Sequence, residues 1–124
     1  MSCTRRVPAF LDDIVRSTDS ISEIRADLSL EGLTGDAVAQ AAILHHLTVI
    51  GEAANRVSAG LKAQHPGIPW SRIASQRNRI VHDYFGLDWV LLWKTITDSV
   101  PRLRHQVKRI LDTEFPGEAG GEGL

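Results

Sequence analysis

The sequence predicts an all-α fold, an antiparallel four-helix bundle with a kinked last helix. Three observations carry that prediction. Apolar residues recur at three- and four-residue spacing through most of the chain. Proline and glycine cluster in the short stretches between those periodic segments. Nowhere do apolar and polar residues alternate over the roughly four to eight positions that a half-buried strand requires. Short connections between consecutive helices favour antiparallel neighbours.

The first helix is predicted from about Pro8, a good first-turn residue, to about Leu28, with Phe10, Ile14, Ile21, Ile24 and Leu28 near helical spacing. "SLEGLTGD" reads as a loop. Thr34 or Asp36 is the candidate cap of a second helix that continues to about Gln64. That helix is apolar or small around most of its circumference, so it is expected at the centre of the bundle or against a second subunit. Its Gly51 permits a close helix contact, at a cost of up to about 1 kcal/mol relative to alanine. "HPGIP" ends it. Pro69 fits the first turn of a third helix, expected to end at Gly86 as a C′ glycine. Asp88 should cap a fourth helix, which Pro101 kinks or splits. This gives one helical domain over residues 1–111. Residues 112–124, containing "EFPGEAGGEGL", read as an acidic, glycine-rich disordered tail.

With 124 residues, 43% of them hydrophobic, the chain has enough apolar material for one real core. No apolar run is long enough to span a bilayer, and "MSCTRRVPAF" lacks the features of a signal peptide. The lone cysteine, Cys3, has no internal partner and fits a reducing compartment, so a cytoplasmic protein is expected. The net charge of −1 hides a segregation. Residues 1–55 carry four basic and eight acidic side chains, residues 56–111 ten and three, and residues 112–124 none and four. A basic half between acidic flanks suits an anionic ligand such as nucleic acid, although basic residues also decorate ordinary solvated helices.

The stretch "RNRIVHDYF", residues 77–85, breaks the pattern around it. On a helical wheel at about 100° per residue, Trp70, Ile73, Ala74, Ile80, Val81, Tyr84 and Phe85 share one arc. Arg77 lands in the middle of that arc. An arginine there either snorkels to the edge or pairs with a carboxylate. Glu52 on the second helix is the candidate partner, unless it makes an ordinary surface pair with Arg56. If the Arg77–Glu52 pair were truly buried, breaking it would cost about 3–5 kcal/mol. His82 lies five residues on and about 140° round, so the two side chains diverge. Asn78 and His82 form an i, i+4 pair on one flank.

A fixed guanidinium neutralises a phosphate and the extra charge of a pentavalent transition state. A histidine takes or gives a proton near neutral pH. Together they suffice for RNA cleavage by attack of the ribose 2′-hydroxyl on the adjacent phosphorus. Because the two groups diverge, a symmetric homodimer would assemble the site better than a monomer.

These residues also carry a resemblance. "RNRIVHDYF" resembles the R-x-x-x-x-H-x-Y signature of HepT-like toxins, within the HEPN superfamily of all-helical domains. The position after the arginine, usually polar there, is Asn78. "VIGEAANRVS", "HPGIPWSRIASQRN" and "LDWVLLWKTITDSVPRLRHQV" also look like the family's pattern, so the likeness covers roughly residues 7–111. It implies a dimeric, metal-independent endoribonuclease toxin, with Arg77 and His82 catalytic, Asn78 and Glu52 supporting, and the composite site at the subunit interface. It further implies a partner, a small nucleotidyltransferase antitoxin of the MNT type that transfers AMP to the motif tyrosine, here Tyr84. Two other readings stay open: a catalytically inactive helical module that docks a nucleotidyltransferase, and a plain helical dimer in which Arg77–Glu52 is structural.

Other candidates are weaker. His45 and His46 are adjacent and point about 100° apart, unsuited to chelating one ion side by side. With no i, i+4 histidine pair, cysteine cluster or glycine-rich phosphate loop in the sequence, no metal or cofactor is expected. His65 and His105 read as solvent-facing, and Trp70, Trp89 and Trp93 as core. Arg102, Arg104, Lys108 and Arg109 read as a solvated face that could also meet an RNA backbone.

Overall fold

The computed structural model describes residues 6–117, and these are helical with no strand among them. In chain order they form α1 (Val7–Arg25), α2 (Leu30–Thr34), α3 (Ala37–Arg56), α4 (Ala59–Gln64), α5 (Trp70–His82), a 3₁₀ turn (Tyr84–Gly86), α6 (Trp89–Lys94), a π-helical turn (Thr95–Ser99) and α7 (Val100–Glu114). Four rods make the bundle: α1, α3, α5 and the continuous run from α6 to α7. The helix α3 packs between α1 and α5, and α7 packs on the other flank of α1. The apolar helix is therefore central, as its composition predicts.

Local chemistry explains the boundaries. Pro8 sits in the first turn of α1. The Asp36 carboxylate accepts from the Ala39 N–H at 3.0 Å and caps α3. Asp88 accepts from the N–H groups of Val90 and Leu91, at 3.0 and 3.2 Å, and caps α6.

Several expectations are corrected. "SLEGLTGD" is not all loop, because Ser29 caps the short α2, whose Leu33 is wholly buried. The first helix stops at Arg25 rather than Leu28. The second does not run unbroken to Gln64. Val57 turns extended and buries its side chain, and Ser58 then caps α4 through the Leu61 N–H at 3.3 Å. Pro69 stands just before the first turn of α5 rather than in it. The third helix ends at His82, not Gly86, and Gly86 closes the 3₁₀ turn without positive φ.

The last helix is interrupted next to Pro101, as the proline predicts: a π-helical turn separates α6 from α7. That turn, just before the proline, widens the backbone where proline lacks an N–H. Thr95 and Thr97 bond the carbonyls of Leu91 and Trp93 at 3.1 and 2.9 Å, drawing on the same stretch of backbone. The domain also outruns residue 111. Asp112 to Glu114 complete α7, and Phe115 packs half-buried against the core. Residues 118–124 of the expected tail and Cys3 lie outside the described residues.

Leu11, Ile14 and Ile21 of α1, Ile43 of α3, Ile96 of the π-turn and Val107 of α7 are wholly buried and form the centre of one core. The three tryptophans pack half-buried against it. Arg25 lies over the Trp93 ring, 5.9 Å from its centroid, and ties the end of α1 to α6. His65 is not simply solvent-facing, since its Nε2 lies 2.7 Å from Glu114 Oε2 and joins the end of α4 to the end of α7. No helix of the described residues is long and apolar enough to cross a membrane.

Candidate active site

The α5 helix lies against α3, and Arg77 meets α3 at Gly51. A methyl group added to Gly51 would overlap Arg77 Cβ and sit 2.7 Å from Cγ. The glycine is thus a socket for the arginine stem. That contact explains how a guanidinium emerges from the middle of an apolar arc: the stem passes over a gap in the neighbouring helix instead of entering the core.

Beside the socket on α3, and next to Arg77 on α5, two groups fix the head. Arg77 Nη2 bonds Glu52 Oε2 directly, and Arg77 Nη1 donates to Asn78 Oδ1 at 3.0 Å. Arg77 Nε is buried with no hydrogen-bond partner. An orphaned buried donor ordinarily costs about 1–3 kcal/mol, so the stem's position is held by the packing at Gly51 rather than by its own bonds. Glu52 pairs across helices with Arg77 and not along its own helix with Arg56. The side chains of Arg77 and Glu52 are 26% and 42% exposed. Water therefore screens the pair, and its loss should cost about 1 kcal/mol, nearer a surface pair than the figure for a buried one.

His82 is the last residue of α5 and is exposed. It makes no hydrogen bond to Arg77, Asn78 or Glu52. Of the five residues singled out by sequence, the structure therefore joins three and leaves His82 and Tyr84 apart from them. Tyr84 does not continue the apolar arc of α5, because the helix ends two residues earlier. At Asp83 the backbone leaves the helix, with φ −140° and ψ 51°, and Asp83 N–H donates to the Arg79 carbonyl at 2.8 Å. The 3₁₀ turn that follows carries Tyr84 and Phe85 edge to face, with ring centroids 5.4 Å apart. Tyr84 is 47% exposed and Phe85 99%. Val81, Val90 and Leu91 are exposed beside them in sequence, so the end of the apolar arc is uncovered within one chain. The turn exists because the chain must swing Leu87 and Trp89 back onto the core and bury Leu92.

Sequence reasoning identified Gly51 as a close-contact glycine but not Arg77 as what it accommodates. A signal was present, since both the glycine and the misplaced arginine are exceptions on otherwise apolar helix faces.

The helical bundle and the motif on α5 define the class, an all-α domain of the HEPN type. More particularly, residues 14–110 match the family described as "Ribonuclease HepT-like", and the chain belongs to that family. It is 32% identical over 104 residues to "Putative RNase MJ1380" of Methanocaldococcus jannaschii, covering 84% of this chain and 95% of that one. It is 33% identical over 101 residues to "Probable ribonuclease HepT" of Thermococcus cleftensis, covering 82% and 92%. No solved structure matches the chain.

Proposed function

We propose that the protein is an endoribonuclease toxin that cleaves RNA without a metal, using Arg77 and His82 in a site completed by a second copy of the chain. The observation that carries this reading is the fixed Arg77 guanidinium, clamped by Glu52 and Asn78 five residues ahead of an open histidine. The family and its ribonuclease-named relatives support the substrate class. In the reaction the ribose O2′ forms a bond to phosphorus while the bond to the departing O5′ breaks. One histidine accepts the 2′-hydroxyl proton, and a histidine donates one to O5′. Arg77 holds the non-bridging oxygens as charge builds on them. The products are a 2′,3′-cyclic phosphate and a free 5′-hydroxyl. Because the nucleophile belongs to the substrate, no metal-bound water is required.

Silencing rests on Tyr84, whose half-exposed ring is open to a modifying enzyme. In a nucleotidyltransferase partner its hydroxyl oxygen attacks the α-phosphorus of ATP, pyrophosphate departs, and the phenolic proton passes to the partner or to water. The attached phosphate would crowd the mouth of the site and compete with substrate for Arg77.

The test is expression of wild type, His82→Ala and Tyr84→Phe with and without the nucleotidyltransferase. Alone, wild type and Tyr84→Phe should cleave RNA in EDTA and leave cyclic phosphate ends, whereas His82→Ala should be folded and inactive. With the partner, an AMP-sized mass increment and loss of activity should appear in wild type only. Full activity of His82→Ala, or a need for metal, would overturn the cleavage mechanism. The increment on Tyr84→Phe would overturn the modification site.

A further inference from the structure

A cavity of about 330 Å³ lies away from the Gly51 contact, between α7 and the loop that joins α4 to α5. Two hydrogen bonds shape that loop. Trp70 Nε1 donates to the His65 carbonyl at 3.0 Å, and Gln106 Nε2 on α7 donates to the Gly67 carbonyl at 3.2 Å. The first folds the loop on itself and the second holds it to α7, and the cavity lies between the loop and that helix. Ile68 and Ile110 contribute apolar wall, and His65, His105, Gln106 and Arg109 contribute polar wall.

The cations of α7 are sorted by face. Arg104 is paired with Asp19 at 2.6 Å, and Lys108 with Asp112 at 2.9 Å. Arg102, His105 and Arg109 have no such partner among the described residues. Their spacing of three and four residues sets them on one stripe, about one basic side chain per helical turn. The stripe runs into the cavity, where His65 faces it from the loop. No carboxylate lines the cavity; Glu114 reaches it only from the rim, through its bond to His65. No aromatic side chain of the Phe, Tyr or Trp kind lines it either, so it offers a base no broad platform to stack on. Two unpaired arginines with a histidine between them, leading into a polar pocket without such a platform, suit a backbone phosphate rather than a nucleobase. Arg77 lies seven residues along α5 from Trp70, about 10 Å of helix rise, so one strand could reach both places.

We propose that this cavity, with Arg102 leading into it, holds a phosphodiester of the RNA strand that flanks the bond to be cut. The proposal rests on RNA being the substrate but not on the roles given to Arg77 and His82.

The experiment measures binding of a labelled, mixed-sequence single-stranded oligoribonucleotide to the His82→Ala protein by fluorescence anisotropy at several salt concentrations. Adding His105→Ala and Arg109→Ala should weaken binding at least fivefold. It should also flatten the salt dependence by about 0.7 in logarithmic slope for each phosphate that the protein no longer neutralises. Lys108→Ala, which removes a charge from the same helix outside the cavity, should leave affinity within twofold. Glu114→Gln, which frees His65 from its carboxylate, should tighten binding. Circular dichroism establishes that each variant is folded. Unchanged affinity in the cavity variant, an equal loss in Lys108→Ala, or no RNA binding by the parent protein would overturn the proposal. AMP displacing the oligonucleotide from the parent at concentrations where the cavity variant resists would instead mark a mononucleotide pocket, and would also overturn it. Cleavage of the probe by the His82→Ala protein, scored on a gel, bears on the catalytic reading alone.

Discussion

At the scale of single residues, the contact between Gly51 and Arg77 makes a prediction of sign. Alanine is ordinarily the better helix former by about 1 kcal/mol. At Gly51 the added carbon would overlap the arginine stem near its backbone, where little can give, and overpacking of that kind costs about 1–3 kcal/mol. Gly51→Ala should therefore lower the melting temperature and reduce RNA cleavage by displacing the guanidinium from Glu52. Gly60, in α4, has nothing within 4 Å of the equivalent position, so Gly60→Ala should stabilise the protein and leave cleavage unchanged. Thermal melts and cleavage rates of the two variants check the pair, and stabilisation by both would mean that the socket is not tight.

His46 makes a second prediction at this scale. Burial, and then the neighbouring His45, hold its pKa below the ordinary 6.5. The neutral form is favoured in the fold, with His46 Nδ1 lying 3.3 Å from Ser17 Oγ. The unfolded chain then binds a proton at higher pH than the folded one does. This contribution to stability is complete above about pH 6.5 and is lost as pH falls below it. Urea melts from pH 8 to 5 should show that loss, and His46→Gln should reduce it.

At the scale of elements, helix ends are decided by capping where the sequence offers a cap and by packing where it does not. Asp36 and Asp88 were legible as caps because their side chains need only their own helix. Asp88→Ala should cost about 1 kcal/mol, read as a shift in denaturant midpoint at constant slope, and an unchanged midpoint would mean that α6 is held by its tryptophans alone. The break at Val57 was not legible, since the periodicity continues through it and only the core it turns into requires the bend. The end of α5 misled for the same reason. Gly86 looks like a helix stop, yet the chain must turn at Asp83 for Leu87 and Trp89 to reach the core. Pro101 predicts a disruption, and it takes the form of a π-turn in the residues just before the ring, where Thr95 and Thr97 bond backbone carbonyls.

At the scale of the whole molecule, one chain leaves Val81 and Phe85 exposed at and just beyond the end of α5, and Val90 and Leu91 exposed on α6. Phe85, 99% exposed, is the most exposed of these side chains. It lies three residues from His82, where a symmetric neighbour would bring a second histidine. The expected outcome is a dimer by light scattering at micromolar concentration, converted to a monomer by Phe85→Asp, with loss of cleavage and retained helicity. A monomeric wild type would defeat this arrangement. The sequence by itself determined the helical class, the central place of the α3 segment, the cap at Asp88 and a short list of candidates for the cap of α3 and the partner of Arg77, because periodicity, capping and one misplaced charge are local or nearly local signals. Only the tertiary structure decided that Gly51 seats the arginine, that Tyr84 leaves the helix on a turn, and that His65 and α7 enclose a cavity. Those depend on which distant residues meet, and the residues that meet are chosen by the packing of the whole core.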